Sequence, residues 1–133
     1  MIQPEQMSLA AHSHIQKILK HGTLTEEELN AVYRLSQHLR VFGLLSAVGY
    51  LNQSANKSEG KIRERVSDVW KPLLAQLLDR DECIERQKLM DIIIKYANTQ
   101  PDVYMLQWRR SLKFSHHWNF WARAYKVEKQ SNE

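Results

Sequence analysis

The chain has 133 residues, 43% hydrophobic and 26% charged, which is enough for one domain with a core and excludes wholesale disorder. Four glycines and three prolines are too few for the frequent turns of an all-β sandwich. Nineteen basic and fifteen acidic residues give a net charge of +4, which permits an anionic partner without requiring one. We therefore predict a single helical domain over residues 1–133.

The expected compartment follows from what the chain lacks. Cys83 is the only cysteine, so neither an internal disulfide nor a thiolate zinc site is expected. The first ten residues do not combine a basic segment with an apolar one, as a secretory signal does. The longest apolar run, Val41–Leu51, is about half of the roughly 20 residues that span a bilayer. We expect a cytoplasmic protein without a membrane partner.

Helical periodicity begins near the N-terminus. Apolar residues at helical spacing predict a first helix from about Glu5 to Lys20, which Gly22 would end. Thr25–Glu28 has the pattern of a capping box and predicts the start of a second helix. Gly43 lies within the continuing pattern and marks a kink, a break or a close approach between helices.

The middle of the chain contains the clearest loop. Asn52–Gly60 is polar and rich in small residues, so we predict a loop there. Helical spacing resumes after it. Pro72 should kink that helix or start a new one, because proline lacks the amide hydrogen and clashes with the preceding turn. A further helix is predicted from about Asp81 to Ala97.

A long last helix is predicted after Thr99–Asp102, where an early proline indicates a helix start. This helix should run to about Val127 and be followed by a disordered tail at about 128–133. The predicted fold is a compact all-α bundle of five to seven helices with a long C-terminal helix.

Candidate catalytic and metal sites are weak. The pairs His12/His14 and His116/His117 lack the i,i+3 or i,i+4 spacing of metal ligands on a helix. Cys83 has acidic neighbours, which disfavour the reactive thiolate. The sequence contains no nucleophile elbow and no glycine-rich phosphate loop. We expect no enzymatic activity, no cofactor and no metal site.

Half of the last helix is aromatic. At about 100° per residue, large apolar side chains and three small residues fill about half of the helical circle. This aromatic half contains Tyr104, Trp108, Leu112, Phe114, Trp118, Trp121 and Tyr125, with Ser111, Ser115 and Ala122 among them. Core packing is the expected role of these residues.

The other half of the last helix is basic. From Tyr104 to Lys129 there are six lysines and arginines and one acid, a net charge of +5. Arginines about one turn apart can bind successive phosphates, and an aromatic among them can stack on a base. The predicted RNA-binding residues are Arg109, Arg110, Lys113, Phe120 and Arg123 of this half, and Lys57, Lys61, Arg63 and Arg65 of a second cluster beside the loop. A solvated face without a ligand is the alternative.

Two stretches resemble one known family. RVFGLLSAVGYL, residues Arg40–Leu51, resembles the Arg…Gly-Leu-x-x-Ala-Leu-Ala-Phe-Leu segment of the small helical subunit of type III-B CRISPR effector complexes, the Cmr complexes. The last helix resembles that family's C-terminal helix, which begins with Tyr and ends in a Trp…Phe-Ala-x-Ala pattern. Four residues fit the closing part of that pattern: Trp118, Trp121, Ala122 and Ala124.

The chain also departs from that family at four positions. The family often has proline where this chain has Ser36, and asparagine where it has Phe42. Lys-Arg often follows the tryptophan of the closing helix, where this chain has Asn119 and Phe120. The matching positions are mostly those of a shared core, so the resemblance bears on the fold more than on individual RNA contacts.

The resemblance implies a compact α-helical protein without catalytic activity. Its copies would stack head to tail along an antiviral ribonucleoprotein, beside the repeated backbone subunits that cleave RNA. The partners implied are therefore those backbone subunits, further copies of the chain, the guide RNA and the target RNA. A one-signed basic face can hold RNA backbone without reading its sequence.

Two other classes of function stay open on the sequence. A small helical adaptor that binds only protein would place the basic half of the last helix against an acidic partner. A helical DNA-binding regulator would need a polar recognition helix, and Arg40–Leu51 is too apolar for that role.

Overall fold

The computed structural model describes residues 4–19, 22–53, 60–81 and 83–126, with the side chains of residues 4 and 60–68 outside that description. These residues form six α-helices and one isolated bridge, between Leu24 and Lys126, which confirms the all-α prediction. The helices are α1 (Pro4–Ile18), α2 (Glu26–Val41), α3 (Leu44–Leu51), α4 (Gly60–Leu77), α5 (Arg86–Thr99) and α6 (Pro101–Ala124).

The capping box at the start of α2 forms as predicted. The Glu28 amide donates to Thr25 Oγ1 at 3.1 Å, and the Thr25 amide donates to Glu28 Oε1 at 2.9 Å. Each side chain thus satisfies a backbone amide that the first helical turn leaves without a partner.

Gly43 separates α2 from α3 and approaches α6 closely. Its φ of +92° lies in the left-handed region, which favours glycine. A Cβ atom there would lie 3.5 Å from Tyr104 Oη and 3.8 Å from the Trp108 ring. Of the alternatives predicted for this residue, the structure therefore shows a break that is also a close approach between helices.

Of the two alternatives predicted at Pro72, a kink or a new helix, no new helix starts there, since α4 continues through it to Leu77. Two predicted boundaries differ from the structure. α5 begins at Arg86 rather than near Asp81, since the Asp81 carboxylate accepts a hydrogen bond from the Cys83 amide at 2.8 Å and favours a turn. α6 ends at Ala124 rather than at Val127, and the next carbonyl, that of Tyr125, accepts the Leu24 amide at 2.9 Å.

The core lies between α6 and the helices around it. α6 packs against α1, α2 and α5, α4 packs against α1 and α2, and α3 packs against α5. Leucines and one tryptophan fill this core without exposure to solvent, among them Leu35, Leu39, Leu44, Leu73 and Trp118. Burial of each such side chain contributes roughly 1.5–3 kcal/mol to the free energy of folding.

Within the described residues, no helix combines the length and the apolarity that crossing a bilayer requires. The predicted disordered tail, at about 128–133, lies outside those residues, as does most of the predicted loop after Asn52.

Candidate nucleic-acid interface

The aromatic half of α6 packs into the core, as the helical pattern predicts. Phe114, Trp118 and Ala122 are buried, and so are the two serines between them, Ser111 and Ser115. The other aromatic residues of this half are partly buried and pack around that centre: Tyr104, Trp108, Trp121 and Tyr125. Trp121, expected to be largely buried, therefore lies at the edge of the core.

Polar atoms of these aromatic side chains fix the rotation of α6. Trp108 Nε1 donates to the Leu39 carbonyl at 2.8 Å, in the last turn of α2. Trp121 Nε1 donates to the Ser8 carbonyl at 3.0 Å, in α1. Because both edges of the aromatic half are bonded to neighbouring helices, the opposite half of α6 faces solvent.

That solvent-facing half forms a basic strip, which we define as Arg109, Lys113, His116, Phe120 and Arg123. All five side chains are exposed, and they follow one another at intervals of three or four residues. The strip extends for about 20 Å at 1.5 Å per residue. No acidic residue lies between Tyr104 and Ala124, so its charge has one sign over four turns or more.

Phe120 lies inside the basic strip. Its side chain is 57% exposed, and its ring meets the Trp121 ring edge-on at a centroid distance of 5.0 Å. Arg123, one turn later, donates from Nε to the Asn119 carbonyl at 3.4 Å. An exposed ring between cations offers a stacking surface beside positive charges, which is the combination found where proteins bind single-stranded nucleic acid.

Arg110 lies apart from the strip, at the junction of α6 with α4. Its Nη1 donates to the Leu77 carbonyl at 3.2 Å and to Gln107 Oε1 at 2.9 Å. Its guanidinium also lies 5.7 Å from the centroid of the Phe114 ring. These contacts place a cation at the C-terminal end of α4, which favours positive charge. Arg110 thus stabilises helix packing.

The second basic cluster is only partly within the described structure. Lys57 lies outside the described residues. The backbone of residues 61, 63 and 65 is helical at the start of α4, but the side chains of Lys61, Arg63 and Arg65 also lie outside them.

Two histidines of α1 join this helix to the C-terminal part of α6 and to the residue after it. Trp118 Nε1 donates to His14 Nδ1 at 3.1 Å, and His12 Nε2 lies 2.6 Å from the Tyr125 hydroxyl oxygen. Burial, together with smaller effects of the positive charges of Lys17 and Arg110, lowers the pKa of His14 from 6.5 to about 4. His14 is therefore uncharged at neutral pH, as its role as an acceptor requires.

Two of the positions that depart from the Cmr pattern contact each other. Asn119 Nδ2 donates to Ser36 Oγ at 3.0 Å, which joins α6 to α2. Where Lys-Arg would extend the positive charge, this chain has a helix–helix hydrogen bond and the exposed Phe120. The exposed lysines and arginines of α6 are therefore Arg109, Lys113 and Arg123.

Among the described side chains, no three histidine, cysteine, aspartate or glutamate residues come close enough together to hold a metal ion. Comparison of the chain with protein-family models, with curated proteins and with solved structures gives no match.

Proposed function

We propose that the protein is a non-catalytic RNA-binding subunit that holds RNA backbone on the basic strip of α6. The observation that supports this most is the exposure of Arg109, Lys113 and Arg123 on one face, with Phe120 between them and no acid in that stretch. Binding of this kind would not depend on RNA sequence, because phosphate contacts do not distinguish bases.

The chemistry of the strip supports RNA more than a passive solvated surface. Solvated helical faces usually mix charges of both signs, which reduces repulsion between neighbouring side chains. Here like charges stand one turn apart at Arg109 and Lys113. A phosphate chain that lies between these two cations reduces their repulsion. Binding is favoured further because the RNA then releases the counterions condensed on it.

We propose further, from the resemblance, that this subunit belongs to a type III-B CRISPR ribonucleoprotein of the Cmr class. Its partners would then be the backbone subunits, further copies of itself, the guide RNA and the target RNA. Exposed acids on elements other than α6, at Asp79, Asp81, Glu85 and Asp91, supply negative charge. Surfaces of opposite sign on one molecule suit head-to-tail stacking.

Salt dependence of RNA binding tests the strip directly. The affinity of the full chain for single-stranded RNA would be measured by fluorescence anisotropy at several salt concentrations. Each phosphate contact contributes a slope of about −0.7 to log K against log salt, so Arg109→Ala with Lys113→Ala should flatten the slope by about 1.4. The matched control is Lys88→Ala with Lys95→Ala, which removes two exposed cations from α5 and should leave the slope unchanged.

The test also distinguishes RNA binding from a protein-only adaptor. Leu106, 56% exposed on the same side of α6, is the observation that favours such an adaptor. If the double variant on α6 binds RNA like the control but no longer co-purifies with the other subunits, the strip is a protein interface. If the slope flattens and the subunit stoichiometry is unchanged, the strip binds RNA.

A further inference from the structure

A cavity of about 290 Å³ opens between three helices, which are α3, α4 and the C-terminal half of α2. It belongs neither to the core nor to the basic strip. Its lining includes Arg34, His38, Val41, Phe42, Tyr50 and Trp70. The volume is close to the lower limit, about 300 Å³, of cavities that hold small ligands.

Aromatic rings form most of this lining. The His38 ring lies 5.0 Å from the Phe42 ring and 5.4 Å from the Trp70 ring, and the Tyr50 ring lies 5.4 Å from Trp70. Trp70 is 2% exposed, and its Nε1 donates to the Ala31 carbonyl at 2.8 Å, so one wall is rigid. Phe42 and Val41 are 67% and 64% exposed and leave apolar surface open to solvent beside that wall.

The charge of the cavity favours an anion. Among the described residues of the lining, Arg34 is the only charged one, and it makes no hydrogen bond or ion pair with the described part of the chain. Burial lowers the pKa of His38, which keeps that ring uncharged at neutral pH. Aromatic cages also bind cations, but the positive charge of Arg34 opposes a cationic ligand here. A ligand with a planar ring and a negatively charged group complements both the aromatic rings and Arg34 of this lining.

We propose that this cavity binds one nucleotide, with the base against the rings of His38 and Phe42 and the phosphate on Arg34. Every base has a face that stacks on aromatic side chains, and arginine pairs with phosphate through two hydrogen bonds. The nucleotide comes either from solution or from an RNA strand whose base is turned out of the stack.

The cavity is separate from the basic strip. Ser36, on the side of α2 bonded to α6, lies about 140–160° around the helix from Val41 and Arg34. Substitutions in α2 therefore test the cavity without altering the strip on α6, and this proposal can hold or fail independently of the proposed function.

Calorimetric titration of the full chain tests the proposal with 5′-AMP, adenosine and ribose 5-phosphate. We expect 5′-AMP to bind, adenosine to bind about tenfold more weakly, and ribose 5-phosphate not to bind. Phe42→Ala should weaken 5′-AMP binding at least about fivefold, the smallest effect typical of a lost stacking partner. Arg34→Gln should weaken 5′-AMP to the level of adenosine and leave adenosine unchanged.

Two control variants match these changes. Leu9→Ala removes a similarly exposed apolar side chain from α1, and Arg40→Gln removes an exposed cation from α2 outside the cavity. Both should bind 5′-AMP like the unaltered chain. Circular dichroism should show unchanged helix content in Phe42→Ala, because that side chain is mostly exposed.

A parallel titration with single-stranded oligoadenylate identifies the source of the nucleotide. If Phe42→Ala weakens 5′-AMP, the cavity takes a free nucleotide. If it weakens only the oligonucleotide, the cavity takes a base from the strand. If neither ligand responds to Phe42→Ala or Arg34→Gln, or both respond equally to the controls, the proposal is wrong.

Discussion

The two halves of α6 are held by different kinds of partner. In the N-terminal half, the Tyr104 hydroxyl accepts the Leu45 amide at 3.0 Å and Trp108 donates to the Leu39 carbonyl, so both partners are backbone atoms at the α2–α3 corner. In the C-terminal half, Trp118 and Tyr125 bond to histidine side chains of α1. The first attachment depends on backbone geometry. The second combines a bond from Trp121 to the Ser8 carbonyl with the bond from Trp118 to His14, which depends on the protonation of His14.

The largest loss of stability is expected at Trp118, in the C-terminal half of α6. Trp118→Ala removes a fully buried ring and leaves His14 without its donor, so the free energy of unfolding should fall by about 3–5 kcal/mol. Urea denaturation measures this change. A loss below about 1 kcal/mol would mean that the aromatic half of α6 does not form the core.

Gly43 tests the N-terminal half. Gly43→Ala should destabilise the fold by about 1–3 kcal/mol, because a side chain is strained at a φ of +92°. Gly49 is the matched control, since it is helical and a Cβ atom there would meet nothing within 4 Å. Gly49→Ala should stabilise the fold by about 0.5–1 kcal/mol in the same denaturation experiment. Equal effects of the two substitutions would contradict the backbone account of this corner.

Acidification should weaken the bond between Trp118 and His14 in the C-terminal half. Since the pKa of His14 falls from 6.5 to about 4 on folding, the unfolded chain binds a proton first as the pH falls. The stability that His14 contributes is complete above about pH 6.5 and is lost as the pH falls toward 4. His38, whose pKa is also lowered, acts in the same direction.

Urea denaturation at a series of pH values measures this loss. His14→Gln keeps an acceptor for Trp118 but cannot titrate, so its stability should depend less on pH between about 6.5 and 4. An unchanged pH dependence in that variant would show that His14 is not the titrating group.

The smallest effect is expected at Tyr104. Tyr104→Phe removes the acceptor of the Leu45 amide and should cost about 0.5–1.5 kcal/mol, the usual value of one hydrogen bond. Tyr33→Phe is the control, because that hydroxyl accepts a hydrogen bond from Gln37 of the same helix and not from the backbone of a neighbouring helix.

Local signals predicted the helices and the starts of α2 and α6 well. Thr25 and Glu28 are three residues apart, so the capping box needs nothing beyond its own turn. The division of α6 into a buried and an exposed half likewise follows from helical spacing, and Trp118 lies where that spacing puts it.

Contacts between distant helices were not predictable from such signals. His12 and His14 were dismissed as a metal pair, but their partners lie on α6, and no spacing within α1 reveals which helix is its neighbour. Arg110 appeared to belong to the basic half of α6, and only the position of α4 shows that it bonds to Leu77. The cavity beside Phe42 similarly needs three helices to assemble before it exists.

The pairing of α1 with α6 has a consequence for synthesis of the protein on the ribosome. His12 and Tyr125 are 113 residues apart, so α1 emerges long before its partner helix. At about 5–20 residues per second, the apolar side of α1 waits roughly 6–20 s for α6. During that interval Ala11, Ile15 and Ile18, which are buried in the folded protein, are exposed to other nascent chains and to chaperones. The apolar side of α1 is thus an aggregation risk until α6 has been synthesised.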